Sequence, residues 1–145
     1  MSARSDFCCY FTFLKEKENE FKNYIRTYII NNLGDDDGYN LFENFFEMVN
    51  PSNDRIGFCL FEECIKFSYI QPYVDKLLNF FNTIKEEISL KYEAKELCTE
   101  YMEFDSECDR MSDEDDYREL HIECIISGVP ETDDMTLLEW IKKEN

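Results

Sequence analysis

Residues 72–96, PYVDKLLNFFNTIKEEISLKYEAKE, contain the change of hydrophobic period that decides the fold class. In the first part of this stretch, apolar residues recur every three or four positions, as in an amphipathic helix, and Pro72 suits a first helical turn. After Ile88, apolar and charged residues alternate, as in a strand with one solvated face. The stretch therefore predicts a helix from Pro72 through Ile88 and a strand over 89–96.

The N-terminal third predicts a strand followed by a helix. The apolar run 7–14 is rich in aromatic residues and cysteine, has no helical stripe and is short, which is typical of a strand buried on at least one face. From Lys17 onward, apolar residues recur at helical spacing, with Lys22 and Arg26 among the polar positions, and Gly34 supplies a stop signal. This segment is predicted to be the first long helix.

The middle of the chain has weaker patterns. A short helical stripe is predicted over 41–49. Two apolar runs, 56–61 and 64–69, are separated by Glu62 and Glu63, which predicts a hairpin. Because tight hairpin turns prefer glycine or asparagine, a longer turn or a single bent strand is the alternative.

The C-terminal part completes a recognisable element order. Alternating apolar residues predict a last strand over 120–126, and an acidic start with lysines near the end predicts a short helix at about 134–143. With no long linker, 1–145 is predicted to be a single domain. The order predicts an α+β fold, a ferredoxin-like split β-α-β sandwich with an antiparallel sheet, two main helices and added short helices.

One stretch also resembles a known family. The segment IKFSYIQP at 65–72, the helix after it and the strand LKYE at 90–93 resemble the second half of the ferredoxin-like domain of YubB-like and Api92-like proteins. These proteins are found on plasmids and phages. The resemblance implies the ferredoxin-like fold and a mobile-element setting, and it implies no particular chemistry.

Composition limits the classes of protein to consider. The 145 residues are 43% hydrophobic and 16% aromatic, which excludes a disordered chain. A net charge of −18 argues against direct binding to nucleic acid, which needs a basic face. We recognise no secretory signal and no apolar run of the roughly 20 residues that a bilayer span requires. Seven cysteines, an odd number, are then predicted to be reduced core thiols of a cytoplasmic protein.

The densest charge lies in the segment 100–119, which we call the acidic segment. It holds ten acidic residues against two arginines, a net charge of −8. One explanation is a solvated loop that aids solubility. The other is a docking surface for a cationic protein, in which aromatic anchors lie among charges that steer the encounter. The predicted partner-binding residues are Tyr101, Glu103, Asp105, Glu107, Asp109, Asp113, Glu114, Asp115, Asp116 and Tyr117.

Metal and catalytic sites fit the sequence poorly. Asp105 begins a possible calcium loop, but Arg110 stands where the sharp turn needs glycine. His121 and Glu123 form the opening of a zinc deaminase signature, and the P-C-x-x-C part does not follow. No catalytic residue, metal site or cofactor is predicted.

The leading hypothesis is a non-catalytic inhibitor that blocks a basic, nucleic-acid-acting protein, as an immunity protein blocks a nuclease toxin. A folded polyanion can compete for a groove that attracts phosphates. The alternatives are a phage or plasmid anti-defence protein that mimics DNA, a cytosolic adaptor and, as a third class, an enzyme. No membrane partner is expected, and the sequence does not indicate the oligomeric state.

Overall fold

The described part of the chain is a mixed α+β structure built on one antiparallel sheet, which confirms the predicted class. The computed structural model describes residues 5–32, 46–98 and 132–143. Its elements are β1 (Ser5–Leu14), a 3-10 turn (Lys15–Lys17), α1 (Glu18–Asn32), β2 (Phe46–Ser52), β3 (Arg55–Ile65), α2 (Phe67–Ile84), β4 (Lys91–Cys98), β5 (Thr132–Thr136) and α3 (Leu137–Lys142).

The five strands lie in the order β4-β1-β3-β2-β5, and every neighbouring pair is antiparallel. Strand β1 is near the middle of the sheet, where Phe11 lies opposite Phe58 on β3 and Tyr92 on β4. Among the five described strands, β4 and β5 form the two edges.

The main hydrophobic core lies between one face of the sheet and the three helices. Successive strand residues point to opposite faces, so alternate residues of β1 enter this core. The core is unusually aromatic, with rings of Phe13 and Phe21 stacked at 4.3 Å and with Trp140 of α3 packed edge-on against Phe58 at 5.2 Å. Its larger members are Phe11, Phe13, Phe21, Ile25, Phe46, Phe58, Leu60, Leu77, Phe81, Leu137 and Trp140.

The opposite face of the sheet is also buried at its centre. Cys8, Val49, Cys59 and Phe61 form a second, smaller cluster there, and each is at most 5% exposed. A central strand that is buried on both faces explains why 7–14 has a continuous apolar run and no alternation.

The structure corrects the helix predicted over 41–49. Residues 46–49 belong to β2, and 41–45 lie outside the described residues. Phe46 and Val49 are three positions apart, which resembles helical spacing, but they enter the two different clusters. Because both faces of this strand are buried, apolar residues are not confined to every second position.

The predicted hairpin between 56–61 and 64–69 is also wrong. Residues 55–65 form the single strand β3, but 67–69 begin α2, so the alternative of one bent strand holds only as far as Ile65. The register with β1 shifts between the pairs Phe7–Glu62 and Ser5–Ile65. The observed hairpin joins β2 to β3 through Asn53 and Asp54, where the hydroxyl of Ser52 donates to the Asp54 carboxylate at 2.6 Å.

Helix α2 begins five residues before the predicted start at Pro72, which lies inside the helix. A proline there removes only one main-chain hydrogen bond, while Val74, Leu77, Phe81 and Ile84 all bury their side chains in the core. The burial of this apolar stripe outweighs the lost bond.

The remaining predicted elements can be compared with the structure where it describes the residues concerned. The first strand, the first long helix, the strand after α2 and the C-terminal helix are confirmed within a few residues at each end. The predicted strand at 120–126 lies outside the described residues. Strand β5 was not predicted, because its sequence TDDMT has neither an apolar run nor a regular alternation.

Gly57 on β3 gives a first testable prediction. A Cβ atom at this position would lie 2.9 Å from Cγ2 of Val49, 3.1 Å from Cγ2 of Thr12 and 3.2 Å from the backbone oxygen of Phe11. The backbone atom cannot move without disturbing the sheet, so we expect Gly57→Ala to lower the free energy of unfolding by about 1–3 kcal/mol in a urea titration. An unchanged urea midpoint would show that the centre of the sheet can accommodate the added methyl group.

Candidate functional site

The predicted partner-binding residues lie in the connection between β4 and β5, outside the described residues. The structure therefore places none of the ten, from Tyr101 to Tyr117, and it does not show which of them come together. It does describe both ends of the connection, since β4 ends at Cys98 and β5 begins at Thr132.

These two ends are at opposite corners of the sheet. In the strand order, β4 and β5 are separated by four inter-strand spacings, about 19 Å in all. Cys98 lies opposite Ser5, at the start of β1. Thr132 lies opposite Val49 on β2, level with Thr12 near the other end of β1. The acidic segment is thus joined to the folded scaffold at two well-separated points.

The net charge of the protein is very unevenly divided. Residues 5–32, 46–98 and 132–143, which we call the scaffold, hold 12 basic and 16 acidic residues, a net charge of −4. The connection 99–131 holds 2 basic and 12 acidic residues, a net charge of −10. More than half of the −18 charge of the whole chain therefore lies in fewer than a quarter of its residues.

Side-chain hydrogen bonds hold β4, which precedes the connection, and α3, which follows β5. On β4, the carboxylate of Glu96 accepts a hydrogen bond from the hydroxyl of Ser5. Beyond β5, Arg26 on α1 donates to the backbone oxygen of Ile141 at 2.6 Å, which holds the last turn of α3. The negative end of the α3 dipole also favours a cation at this position.

Lys22, which we assigned to the polar face of α1, is instead 4% exposed. Its ammonium group donates to the backbone oxygen of Lys143 at 3.1 Å, forms an ion pair with Glu18 at 3.5 Å and lies 4.6 Å from the ring centroid of Trp140. A buried lysine needs such partners. One sign of this burial was present in the sequence, because Lys22 is next to Phe21 of the apolar stripe of α1.

Some acidic residues of the scaffold are already engaged. The hydroxyl of Tyr24 donates to the carboxylate of Glu87, and this hydrogen bond is the main reason that the pKa of Tyr24 is raised above its usual value. Glu93 pairs with Lys95 at 3.2 Å on the exposed face of β4. Two of the 16 acidic residues of the scaffold, Glu87 and Glu93, thus have partners within the scaffold.

The thiols that the structure describes are unsuited to nucleophilic chemistry. Cys8, Cys9 and Cys59 are free and buried, which confirms the prediction of reduced core thiols for these three. Burial is the largest cause of the strongly raised pKa of Cys9, so its reactive thiolate form is disfavoured. The Sγ atoms of Cys8 and Cys59 are 3.9 Å apart, a distance that allows a weak thiol–thiol hydrogen bond between the two free cysteines.

Metal and membrane sites can be assessed only within the described ranges. There, no three carboxylate, thiol or imidazole groups are close enough to hold a metal ion. No helix in these ranges is long and apolar enough to cross a membrane. His121 and the possible calcium ligands from Asp105 onward lie outside the described residues, so the prediction that they bind no metal stays a prediction.

Two further surfaces would be candidates for an interface if the acidic segment were only a solvated loop: the acidic turn Asp35-Asp36-Asp37 and the sheet face away from the helices. The turn lies outside the described residues. The sheet face away from the helices is not an open surface at its centre, because Cys8 and Cys59 are buried there. Its solvent-exposed part is on β4, where Lys91, Glu93 and Lys95 are exposed.

Comparison with known proteins adds no further candidate: no family model, no curated protein and no solved structure matches this chain.

Proposed function

We propose that this protein is an acidic, non-catalytic inhibitor that binds and blocks a basic, nucleic-acid-acting protein, as an immunity protein blocks a nuclease toxin. The observation that carries the proposal is the division of charge between a nearly balanced scaffold and a connection of net charge −10. A charge needed only for solubility would be equally effective if it were spread over the surface. Concentrating it on one segment costs repulsion that a cationic partner would relieve.

The scaffold supports this proposal by holding the ends of the acidic connection in fixed positions. Strand β4 is hydrogen-bonded to the central strand β1, and α3, which directly follows β5, packs into the aromatic core through Trp140. Fixed ends reduce the entropy lost when the acids meet a partner. Tyr101 and Tyr117 are then proposed as apolar anchors among the steering charges.

We also propose that the fold is ferredoxin-like, with β5 and α3 as additions. What supports this is the element order β1-α1-β2-β3-α2-β4, together with the sheet order β4-β1-β3-β2. The mobile-element setting implied by the resemblance to YubB-like proteins, and a cytoplasmic location, are parts of the same proposal. A DNA-mimicking anti-defence protein would use the same charges against a different basic protein.

The proposal predicts a specific class of partner in a pull-down from the native host. At low salt, the protein should retain a basic nucleic-acid-acting protein whose activity it inhibits, and high salt should slow the association steeply. A nuclease toxin would support the immunity role, and a restriction or CRISPR effector would support the anti-defence role. Retention of neutral or acidic proteins, with little dependence on salt, would favour an adaptor and contradict the proposal.

Charge reversal at Asp113, Glu114, Asp115 and Asp116 should slow association with that partner about tenfold, on the usual scale of electrostatic steering. The association rate can be measured by stopped-flow fluorescence or surface plasmon resonance. Circular dichroism should show an unchanged fold.

A matched control separates local charge from net charge. Reversing Glu16, Glu20, Asp75 and Glu86, four exposed acids of the scaffold, changes the total charge by the same amount. This control should slow association much less. If both variants associate more slowly by the same factor, only the overall charge matters. If neither variant slows association, the acidic segment is merely solvated.

A further inference from the structure

Among the residues that the structure describes, β4 is an edge strand of the sheet. Within the residues that the structure describes, it is hydrogen-bonded to β1 alone, over eight residues. The main-chain N–H and C=O groups on the far side of such a strand are available for pairing with another chain. Many proteins protect an edge with charged side chains, especially lysine. Strand β4 carries two lysines and two glutamates, so its net charge is zero.

The charges of β4 follow an alternating pattern on one face. Lys91, Glu93 and Lys95 are all exposed and, being two residues apart, point to the same side of the sheet. The side chains of Lys95 and Glu93 are 54% and 47% exposed, so both remain accessible to a second partner although they pair with each other. A strand that carries both signs in alternation can be complementary to itself.

We propose that β4 is a self-association surface, on which β4 of a second copy of this chain adds in antiparallel register with Ala94 on the two-fold axis. In this register, Glu93 lies opposite the partner's Lys95, and Lys95 lies opposite the partner's Glu93. Two symmetric ion pairs form on one face, and the small side chain of Ala94 meets its own copy on the other. The two five-stranded sheets become one sheet of ten strands.

Neighbouring registers are less favourable. A two-fold axis at Glu93 places Glu93 opposite its own copy in the second chain, and an axis at Lys95 does the same for Lys95. Both registers place like charges opposite each other, which destabilises a strand pair. An axis at Tyr92 opposes Lys91 to Glu93, but it pairs only positions 91–93 of the strand. The axis at Ala94 pairs positions 91–97 and opposes unlike charges, so it combines length with complementarity.

The other edge of the sheet does not offer the same match. Strand β5 has only five residues, and its charged residues are Asp133 and Asp134. Pairing of two copies there would bring four acids together without a base. On a chain of net charge −18, β4 is the edge strand whose own charges sum to zero.

The test is a charge-swap series on the isolated full chain, measured by sedimentation equilibrium over a concentration series. The wild-type chain should show a reversible monomer–dimer equilibrium. Glu93→Lys and Lys95→Glu each oppose like charges at two symmetric positions, so each should weaken dimerisation by roughly tenfold or more. Both residues are exposed, so thermal melts should show that the fold is retained.

The decisive sample is an equimolar mixture of the two variants. One chain then carries lysine at positions 93 and 95, the other carries glutamate at both, and every cross-strand pair is complementary again. The mixture should form a heterodimer at least as tight as the wild-type dimer. Lys91→Glu is the control, because in this register Lys91 lies opposite no charged residue. The Lys91→Glu variant should therefore dimerise as tightly as the wild type.

Three results would overturn the proposal: a wild-type chain that stays monomeric at the highest concentration, single variants that dimerise as the wild type does, or a mixture that fails to associate. A loss of dimer in Lys91→Glu would assign the axis to Tyr92 and reject the register proposed here. The measurement needs no inhibitor target, so its outcome is independent of the proposed function.

Discussion

Replacing Phe11 by alanine is expected to lower the free energy of unfolding by about 3–5 kcal/mol, the largest effect of any change considered for this protein. Phe11 is fully buried at the centre of β1. Its ring centroid lies 4.7 Å from that of Phe81, 5.5 Å from that of Phe46, 5.6 Å from that of Phe58 and 5.7 Å from that of Phe21. Four neighbouring rings on four different elements cannot all collapse into the space that one ring leaves, so a cavity remains.

Urea unfolding followed by far-ultraviolet circular dichroism measures this loss. Tyr69→Ala is the matched control, because it also removes an aromatic ring, but from a side chain that is 71% exposed. We expect the control to change the free energy of unfolding by about 0.5 kcal/mol or less. A similar, small loss in both variants would mean that the aromatic core is not the main source of stability.

Removing the guanidinium group of Arg55 should have the second largest effect, a loss of about 2–3 kcal/mol for Arg55→Leu. Arg55 begins β3 and donates to two segments at once. Its guanidinium group donates to the backbone oxygen of Thr12 at 3.1 Å and to the Thr12 hydroxyl at 3.0 Å. The same group donates to the backbone oxygen of Ser89 at 2.5 Å and to the Ser89 hydroxyl at 3.4 Å. Without it, acceptors in a partly buried region lose their donors.

The geometry of Arg55 can be separated from its charge. Arg55→Lys keeps the positive charge but lacks the planar fork that reaches both segments, so it should recover only part of the lost stability.

Ser89 has a φ of 52°, a left-handed conformation that glycine adopts readily. Ser89→Gly keeps the main-chain acceptor and should change stability by less than about 1 kcal/mol. If Arg55→Leu were equally mild, the guanidinium contacts would be dispensable.

A hypothesis about function could be formed from the sequence more readily than a binding site could be placed. The counts of acidic and basic residues argue against direct binding to nucleic acid and single out the acidic segment without any coordinates. Which of the acids from Glu103 to Asp116 come together is a different question, because it depends on contacts between distant residues, and like charges carry no preferred partner. Arg55 shows the same limit, since nothing beside it in the chain signals that it would bond Thr12 and Ser89.

Elements with one buried face were predicted from their periodicity, whereas β2, which is buried on both faces, was predicted wrongly. The stripe of α1 and the alternation of β4 each record which side meets the core, so their period in the sequence matches their period in space. Strand β2 is buried on both sides, through Phe46 and Val49, and so it imitates helical spacing. Strand β5 has no apolar pattern, and its strand conformation is stabilised by pairing with β2.

The amino-acid sequence by itself determined the α+β class, the apolar stripes of α1 and α2 and the concentration of negative charge between β4 and β5, because each follows from residue types and local periodicity. Only the tertiary structure decided that β4 and β5 are opposite edges, that Lys22 is buried, and that Glu93 and Lys95 lie on an accessible edge strand. These properties depend on which strands pair and which side chains meet across the fold, and a local pattern along the chain does not encode them.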